Sequence, residues 1–512
     1  MSALTAVVVL LPFLAAGASV FPLPPWAVRS VSTTTLTVLV GAGVALLTLA
    51  HTRGPLAVHV GGWPAPAGIT LVADRLSALL LTVSLLVALA VLLFAIGQGT
   101  AEERPQAAVV LHPAYLVLVG GVSLAYLSGD LFNLFVAFEV TLGASYVLIT
   151  LEAREARTRA AMTYTIVSLT SSLLFLSVVA FTYAATGTVT LAQLAGRVAV
   201  LPDGLAEVLG LLLLTVFGIK SALVPLHFWL PDSYPTAPAP ITAVFAALLT
   251  KVAFYAILRT QTLIFPRDEA WVLLAVVAVA TMLVGILGAI AQDDINRLLS
   301  FTLVSHIGFM LFGLALFDTA GLTGTILYMV HHIVVQGALF LTAGLVARRT
   351  GTSALHRMKG RLALPTGIAV LFALPALSIA GVPPFSGFIA KITLLRAGAS
   401  EAGPTGYALA SAAVLTSVLT LYAMARVWSA VFWGAPDDLR GSAVVYKGDG
   451  GHQARGTGRG GLLMFAATAA LVVTGLLLAA FAAPLAGVAA GAADDLVHPG
   501  SYRSEVLTEE EP

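Results

Sequence analysis

The side chains in this sequence that could do chemistry are a few ionisable groups inside long apolar segments. Three of the five lysines (Lys220, Lys251 and Lys391) and the carboxylate of Glu139 occupy such positions. On insertion scales each of these groups costs about 2.5–3.5 kcal/mol at the centre of a bilayer. A buried lysine can release its proton whereas arginine keeps its charge, so lysine favours proton transfer over a structural ion pair. A nearby glutamate would hold a lysine protonated, and moving the two apart would release the proton.

The competing interpretation of these lysines is that their long side chains reach a membrane surface. This interpretation is strongest for Lys391, which lies only four residues before Leu395 at the end of its segment. Glu139 and Lys220 lie deeper in their segments, and we expect both to be functional.

Histidines extend this polar set. His306, His331 and His332 lie in apolar segments, and His227 follows a proline. Neighbouring helical residues point about 100° apart, so His331 and His332 cannot bind one metal, and we expect no metal site. We interpret His306 and His332 as proton relays, although a satisfied core histidine is the alternative. Gln336 lies one helical turn after His332 on the same face.

The composition identifies the environment. Of 512 residues, 59% are hydrophobic and 10% are charged, and the mean hydropathy is +0.97. No soluble fold hides that much apolar surface. A net charge of +1 without a basic patch gives no support for binding nucleic acid. There is no cysteine and no P-loop motif, so we expect no cofactor and a transporter subunit that is powered by a gradient or a partner.

The apolar segments are long and do not alternate in polarity, which predicts helices and not barrel strands. Fourteen can be counted, and the first is interpreted as a retained helix because no basic residue precedes it. We therefore predict an all-α polytopic membrane protein. The segments lie near 2–21, 31–50, 70–97, 109–128, 131–151, 161–186, 206–226, 238–259, 270–291, 300–317, 321–347, 365–395, 405–433 and 461–491.

The positions of Lys and Arg predict the orientation. Fifteen of the 26 lie in odd-numbered loops, six lie in even-numbered loops and the tail, and five lie inside segments. Odd-numbered loops should therefore face the cytoplasm of a bacterial-type cell, with both termini outside. Asp74 and Arg75 open the third segment and Asp130 opens the fifth, where we expect pairing at helix ends. The hydrophilic loop at 434–460 is rich in glycine and is interpreted as a flexible connector.

Helix-breaking residues occur deep in two segments. Gly218 and Pro225 lie in the seventh, and Gly381, Pro383 and Pro384 lie in the twelfth. Broken helices at matching places in two halves are typical of transporters built from inverted repeats. Segments 4–8 and 9–13 would be the repeats, although chance placement of proline is the alternative. The predicted units are 1–108, 109–259, 260–433, 434–460 and 461–512.

Five motifs together resemble the D subunits of Mrp-type multisubunit Na⁺/H⁺ antiporters. The wider family includes the antiporter-like proton-pumping subunits of complex I and of membrane-bound hydrogenases. The resemblance covers almost all of the chain. The motifs are D-L-F-N-L-F-V-A-F-E-V at 130–140, F-G-I-K-S-A at 217–222, P-L-H-F-W-L-P-D-S-Y-P at 225–235, L-T-K-V at 249–252 and G-V-P-P-F-S-G-F at 381–388.

The resemblance implies a role for each buried group. Glu139 would pair with Lys220, Lys251 would be the central lysine, and Lys391 would end a lateral polar axis. His332 would lie on the bridge between the halves. The implied partners are other membrane subunits, and the implied transported ions are H⁺ and Na⁺.

One departure from the family pattern affects the middle of this axis. Many relatives carry lysine where this sequence has Gln336, which can hydrogen-bond water but cannot hold the proton. Two other functions stay open from the sequence. One is a proton-pumping subunit of a quinone-linked oxidoreductase or hydrogenase, and the other is a sodium-coupled solute carrier acting alone.

Overall fold

A computed structural model describes residues 2–99, 105–151, 155–267, 269–358, 364–401, 403–433 and 458–507. The predicted connector at 434–460 lies outside the described residues except for its last three, and so do residues 508–512 of the predicted tail.

The described chain is a helical bundle with one short hairpin. Its first helices are α1 (Ser2–Val20), α2 (Pro25–Arg53), α3 (Arg75–Gln98), α4 (Pro105–Leu127), α5 (Leu131–Ile149), α6 (Glu155–Thr186), α7 (Leu191–Val198) and α8 (Asp203–Ser221). The central helices are α9 (Trp229–Ser233), α10 (Ala239–Val244), α11 (Thr250–Leu263), α12 (Val272–Ile290), α13 (Ile295–Leu316) and α14 (Thr319–Thr350). The last are α15 (Leu355–Met358), α16 (Thr366–Ala380), α17 (Ser386–Ser400), α18 (Pro404–Val431), α19 (Gly458–Ala480), α20 (Ala482–Val497) and α21 (Gly500–Leu507).

Shorter elements complete the fold. A π-helical turn at Phe245–Leu249 joins α10 to α11, and 3₁₀ turns occupy Val60–Gly62 and Tyr234–Thr236. Strands β1 (Leu56–His59) and β2 (Thr70–Ala73) pair antiparallel, with Leu56 opposite Ala73.

Fourteen apolar helical units match the fourteen predicted segments. Within the described residues, twelve are long and apolar enough to cross a membrane, with α10, the π turn and α11 counted as one. The other two are the shorter helices α1 and α16. The prediction of an all-α polytopic membrane protein is confirmed. The two inverted repeats and the unit bounds drawn from them stay predictions.

Two predicted segments differ from the structure at their ends. The third was expected to be helical from residue 70, but 70–73 form β2, and α3 begins only after Asp74. Asp74 caps this helix, because its carboxylate accepts from the backbone N–H of Ser77. The last segment is two helices, since Pro484 in the first turn of α20 cannot donate the bond that would continue α19.

Both predicted helix breaks are present and have the same geometry. Helix α8 is followed by Ala222 at φ 61°, and α16 is followed by Gly381 at φ 89°. In each case the next backbone N–H bonds back to a carbonyl five residues earlier, from Leu223 to Gly218 and from Val382 to Leu377. These are Schellman caps. Gly218, which we expected to break the seventh helix, instead lies inside α8 and accepts the cap bond.

A proline follows each cap at the same distance. Pro225 lies three residues after Ala222, and Pro384 lies three residues after Gly381. Proline has no N–H and prevents the helix from resuming at once. The repeated cap and proline support the predicted relation between the seventh and twelfth segments.

Helices α11, α13 and α14 form the buried centre of the bundle. Helix α14 packs against α3, α13, α16, α17, α19 and α20. The approach of α13 to α14 depends on glycine, because a Cβ atom on Gly313 would lie 2.0 Å from the carbonyl oxygen of Gly321.

We predict that Gly313→Ala destabilises the protein by about 1–3 kcal/mol or more, since overpacking separates two central helices. The control is Gly41→Ala in α2, where a Cβ atom would have no neighbour within 4 Å. Thermal unfolding of the detergent-solubilised protein should show a lower midpoint for Gly313→Ala only. Equal midpoints for the two variants would contradict the close approach.

Candidate functional site

Lys220 lies at the end of α8, two residues before the first break. Its ammonium group donates to the hydroxyl of Ser172 in α6 at 3.0 Å and lies 5.1 Å from the centre of the Phe138 ring. The side chain is buried. The cap at Ala222 ends the helix, so it fixes where along α8 this lysine is placed.

Glu139 lies near the middle of α5, next to Phe138, and its side chain is half-buried. Its Oε1 atom is buried and has no hydrogen-bond partner among the described residues. No ion pair within 4 Å joins Glu139 to Lys220 in the described part of the chain. Glu139 still interacts electrostatically with Lys220. The implied pair is therefore a longer-range interaction here, with the Phe138 ring beside the lysine.

A small cavity with a mostly apolar lining and several polar side chains adjoins Lys220. It has about 30 Å³ of room for water, enough for one or two molecules. Its polar lining comes from α5, α6, α8 and the segment after the first break: Thr141, Tyr164, Ser168, Ser171, Lys220, Trp229 and Tyr234. A hydrated hydroxyl-lined cavity can pass protons to and from the lysine amine.

Lys251 is fully buried in α11 and lies two residues after the end of the π turn. Its ammonium group donates to the carbonyl oxygen of Ala246 at 2.6 Å, and the hydroxyl of Thr250 is 3.3 Å away. Ala246 lies within the π turn, which interrupts the regular α-helical ladder. The irregular turn therefore supplies the acceptor for this lysine.

Lys391 lies in α17 and turns back toward the second break. Its ammonium group donates to the carbonyl oxygens of Ile379 at 2.9 Å and Ala380 at 3.1 Å, the last two residues of α16. Helix ends leave such carbonyls without intrahelical partners, and their dipoles favour a cation. The alternative that Lys391 reaches a membrane surface is wrong, because its side chain is buried against Phe309 and the break.

The predicted relay His306 lies between the lysines. One of its ring nitrogens is 2.6 Å from the hydroxyl of Tyr328, and the other is 3.3 Å from the hydroxyl of Thr420. Its ring centre is 5.5 Å from that of His332. Both ring nitrogens of His332 are buried, and neither has a hydrogen-bond partner in the part of the chain that the structure describes. His332 interacts electrostatically with both Lys251 and Lys391.

His331 continues the site toward the second break. Its Nδ1 atom is 2.9 Å from the hydroxyl of Ser386, the first residue of α17. The hydroxyl of Ser378, near the end of α16, is 3.3 Å from that of Ser386. The two adjacent histidines therefore face different neighbours, as their helical spacing predicted.

Gln336 is buried one turn further along α14. Its amide nitrogen donates to the carbonyl of Leu299 in α13 at 2.9 Å, and its Oε1 atom has no hydrogen-bond partner. The free acceptor can bind water but carries no charge.

The structure brings Lys251, His306, His332 and Lys391 into one central group, with Lys220 and Glu139 toward one side. Side chains that contact this site but were not predicted from the sequence include Ser172, Tyr328, Ser386 and Thr420. His331 was expected in the polar set but had no role of its own. Tyr328 could have been found, since it precedes His332 by four residues on one helix. Ser172 and Ser386 carried no such signal, because serine is common in membrane helices.

The residues of this site lie in a region that is shared with known proteins. A family model described as "NADH:quinone oxidoreductase/Mrp antiporter, TM" matches residues 128–420, which include every residue of this site. The chain belongs to this family. The resemblance drawn from the five motifs is thereby confirmed.

Curated members of the family are similar over most of their length. The chain is 41% identical to the D subunit of the Na⁺/H⁺ antiporter of Alkalihalophilus pseudofirmus, over 75% of this chain and 77% of the relative. It is 37% identical to the corresponding Na⁺/H⁺ antiporter protein of Bacillus subtilis, over 77% and 80%. A chain in the solved Mrp complex from Dietzia sp. DQ12-45-1b has a TM-score of 0.88 and 34% identity, with 99% of this chain and 100% of that chain covered.

We predict that Tyr328→Phe lowers the stability of the folded protein by about 1–3 kcal/mol, because it leaves a buried ring nitrogen of His306 without a partner. The matched control is Tyr407→Phe in α18, where the side chain is exposed. Thermal unfolding of the two variants should show a lower midpoint for Tyr328→Phe. A midpoint equal to that of the control would show that the 2.6 Å contact contributes nothing.

Proposed function

We propose that this chain is the D-type subunit of a multisubunit Na⁺/H⁺ antiporter in a bacterial cell membrane and that it translocates protons. One observation carries the proposal. Lys220, Lys251 and Lys391 are buried, and within the described residues none of them has a carboxylate within 4 Å. A structural lysine at such depth would be paired, because an unpaired buried charge is costly. Lysines held by neutral oxygens can exist in both protonation states.

The proposed route is lateral. A proton enters at Glu139 and Lys220, passes to Lys251, crosses through His332, His306 and Gln336, and reaches Lys391. The cavity beside Lys220 and the hydroxyl of Tyr328 would each pass the proton over a short distance along this route. Gln336 takes part through bound water only, so His332 carries the proton across the centre.

The two helix breaks would connect this route to water. Unwound backbone at membrane depth is tolerated where it lines a cavity or is buried in protein. The breaks near Pro225 and Pro384 would admit water from opposite faces, as the predicted inverted repeat requires.

Glu139 gives a reason for partner subunits. The residue is partly exposed, and its buried Oε1 atom has no hydrogen-bond partner among the described residues. A charged group is costly within a membrane, and a neighbouring membrane protein would cover it. The similar chain in the Dietzia structure belongs to an Mrp complex. We infer that this chain also assembles with other membrane subunits, and that the Na⁺ path lies in one of them.

The runner-up function is a proton-pumping subunit of a redox complex, since the family description includes NADH:quinone oxidoreductase. The identity of 41% to an antiporter protein favours the first proposal. Purification of the native complex separates the two, because only a redox complex would carry flavin or iron–sulfur subunits.

We predict that Glu139→Ala and Lys220→Ala each lower cation/proton antiport by about 100-fold or more, the size expected when a positioned proton carrier is removed. The assay is antiport by the whole complex in proteoliposomes, with assembly checked on native gels. Glu207→Ala is the control, because this glutamate is exposed at the start of α8. Full antiport activity in either test variant, with normal assembly, would contradict the proposed function.

The orientation can be tested directly because the chain has no cysteine. Val200 and Trp433 are 80% and 77% exposed and lie in loops predicted to face opposite sides. A membrane-impermeant maleimide applied to intact cells should label Val200→Cys and spare Trp433→Cys. The reverse pattern would contradict the proposal that both termini lie outside.

A further inference from the structure

A buried ion pair lies away from the lysine route, at the end of the bundle where α3 begins and α11 ends. Arg259 donates to the carboxylate of Asp74 at 2.6 Å, with side-chain exposures of only 6% and 3%. We expected pairing at helix ends for Asp74 and Arg75. Asp74 pairs across the bundle with Arg259 of α11, and Arg75 forms a separate ion pair with Asp495 of α20 at 2.7 Å.

The C-terminal helices cover this pair. The guanidinium of Arg259 lies 5.0 Å from the ring centre of Tyr502 and 5.4 Å from that of Tyr255. Tyr502 belongs to α21 and is itself buried. We call Asp74, Tyr255, Arg259 and Tyr502 the Arg259 cluster. Its cover comes from a segment that follows the last membrane-crossing helix.

Two residues of the Arg259 cluster, Tyr255 and Arg259, lie on the same face of α11 as Lys251. Lys251, Tyr255 and Arg259 are spaced four residues apart, and such residues lie one above the other on an α-helix. The spacing corresponds to about 12 Å along the axis. Arg259 also donates toward the hydroxyl of Tyr255 at 3.4 Å, and this hydroxyl donates to the carbonyl of Tyr126 at 2.8 Å. Polar side chains therefore follow one face of α11 from Lys251 to the end of the bundle, although the ammonium of Lys251 itself turns toward Ala246.

Three buried polar atoms of this region have no hydrogen-bond partner among the described residues. They are Nε of Arg259, Nε of Arg75 and Oδ2 of Asp130, whose other oxygen caps α5. Burial raises the pKa of Asp130 to about 6. A purely structural ion-pair cluster would satisfy such groups, because each unpaired one costs about 1–3 kcal/mol.

We propose that Tyr255, Arg259 and Asp74 form a branch by which protons pass between Lys251 and this end of the bundle, and that Tyr502 closes the branch. The proposal rests on the proposed function of Lys251. In this proposal the ammonium of Lys251 leaves the carbonyl of Ala246, turns toward Tyr255 and gives its proton to water that enters there. The Asp74 carboxylate receives the proton when Arg259 turns away. Arg259 keeps its charge throughout and acts as a positioning residue. Asp74 then releases the proton to the solution once α21 moves.

The closure is tested by cysteine accessibility, which does not depend on transport. Ala73 is fully buried beside Asp74, and the cysteine-free chain allows Ala73→Cys as a single probe. We expect a membrane-impermeant maleimide to label this probe at least tenfold faster when Tyr502→Ala is added. Tyr502→Phe keeps the ring and should leave labelling slow, and so should the exposed control Tyr407→Ala. An unchanged rate in Tyr502→Ala, in protein that still assembles, would overturn the closure.

The branch is tested by antiport of the complex in proteoliposomes. Tyr255→Phe removes only the hydroxyl, so it should lower antiport at least tenfold while labelling of the Ala73→Cys probe stays slow. Tyr407→Phe is the control. If Tyr255→Phe keeps full antiport while Lys220→Ala loses it, the branch is wrong and the proposed function stands. If Lys220→Ala also keeps full antiport, the proposed function itself is wrong.

Discussion

A lysine ammonium group inside an apolar bundle needs hydrogen-bond acceptors, and irregular helix geometry provides most of them in this protein. Lys391 donates to the last two carbonyls of α16, which the second break leaves free. Lys251 donates to a carbonyl in the π turn. A continuous α-helix would use these oxygens in its own ladder. The π turn and the second break therefore each supply backbone acceptors to a buried lysine.

At the first break the acceptor for the lysine is a side chain and not the backbone. Lys220 lies before this break and donates to the hydroxyl of Ser172 on a neighbouring helix. The two breaks nevertheless share a Schellman cap and a proline three residues beyond it. Between the two breaks, the adjacent histidines of α14 have different neighbours, with His331 toward Ser386 and His332 toward His306. The central helix thus contacts both the middle of the site and the second break.

Much of the fold and of the site could be predicted, because the sequence of a membrane protein shows clearly which residues lie in apolar segments. A charged residue in an apolar segment is rare and costly, so Lys220, Lys251 and Lys391 were visible at once. The fourteen segments were visible from length and hydropathy alone. The buried face of each helix was harder to predict, because a segment that is apolar all round has no amphipathic stripe to orient it. For that reason the partial exposure of Glu139 could not be predicted from the sequence.

Contacts between residues that are far apart in the chain could not be predicted from the sequence either. Arg259 and Tyr502 are 243 residues apart, and only the fold brings them together. Ser172 and the π turn carry no pattern that separates them from other apolar helix residues. These features depend on which helices are neighbours, a property of the whole bundle.

The central claim is that the buried lysines work by releasing protons and not merely by carrying charge. Lys220→Arg tests it most directly, because arginine keeps the positive charge but does not give up its proton. Antiport by the complex in proteoliposomes should fall to background in this variant, with assembly unchanged. Antiport near the parental rate would show that a fixed charge suffices and would contradict the account.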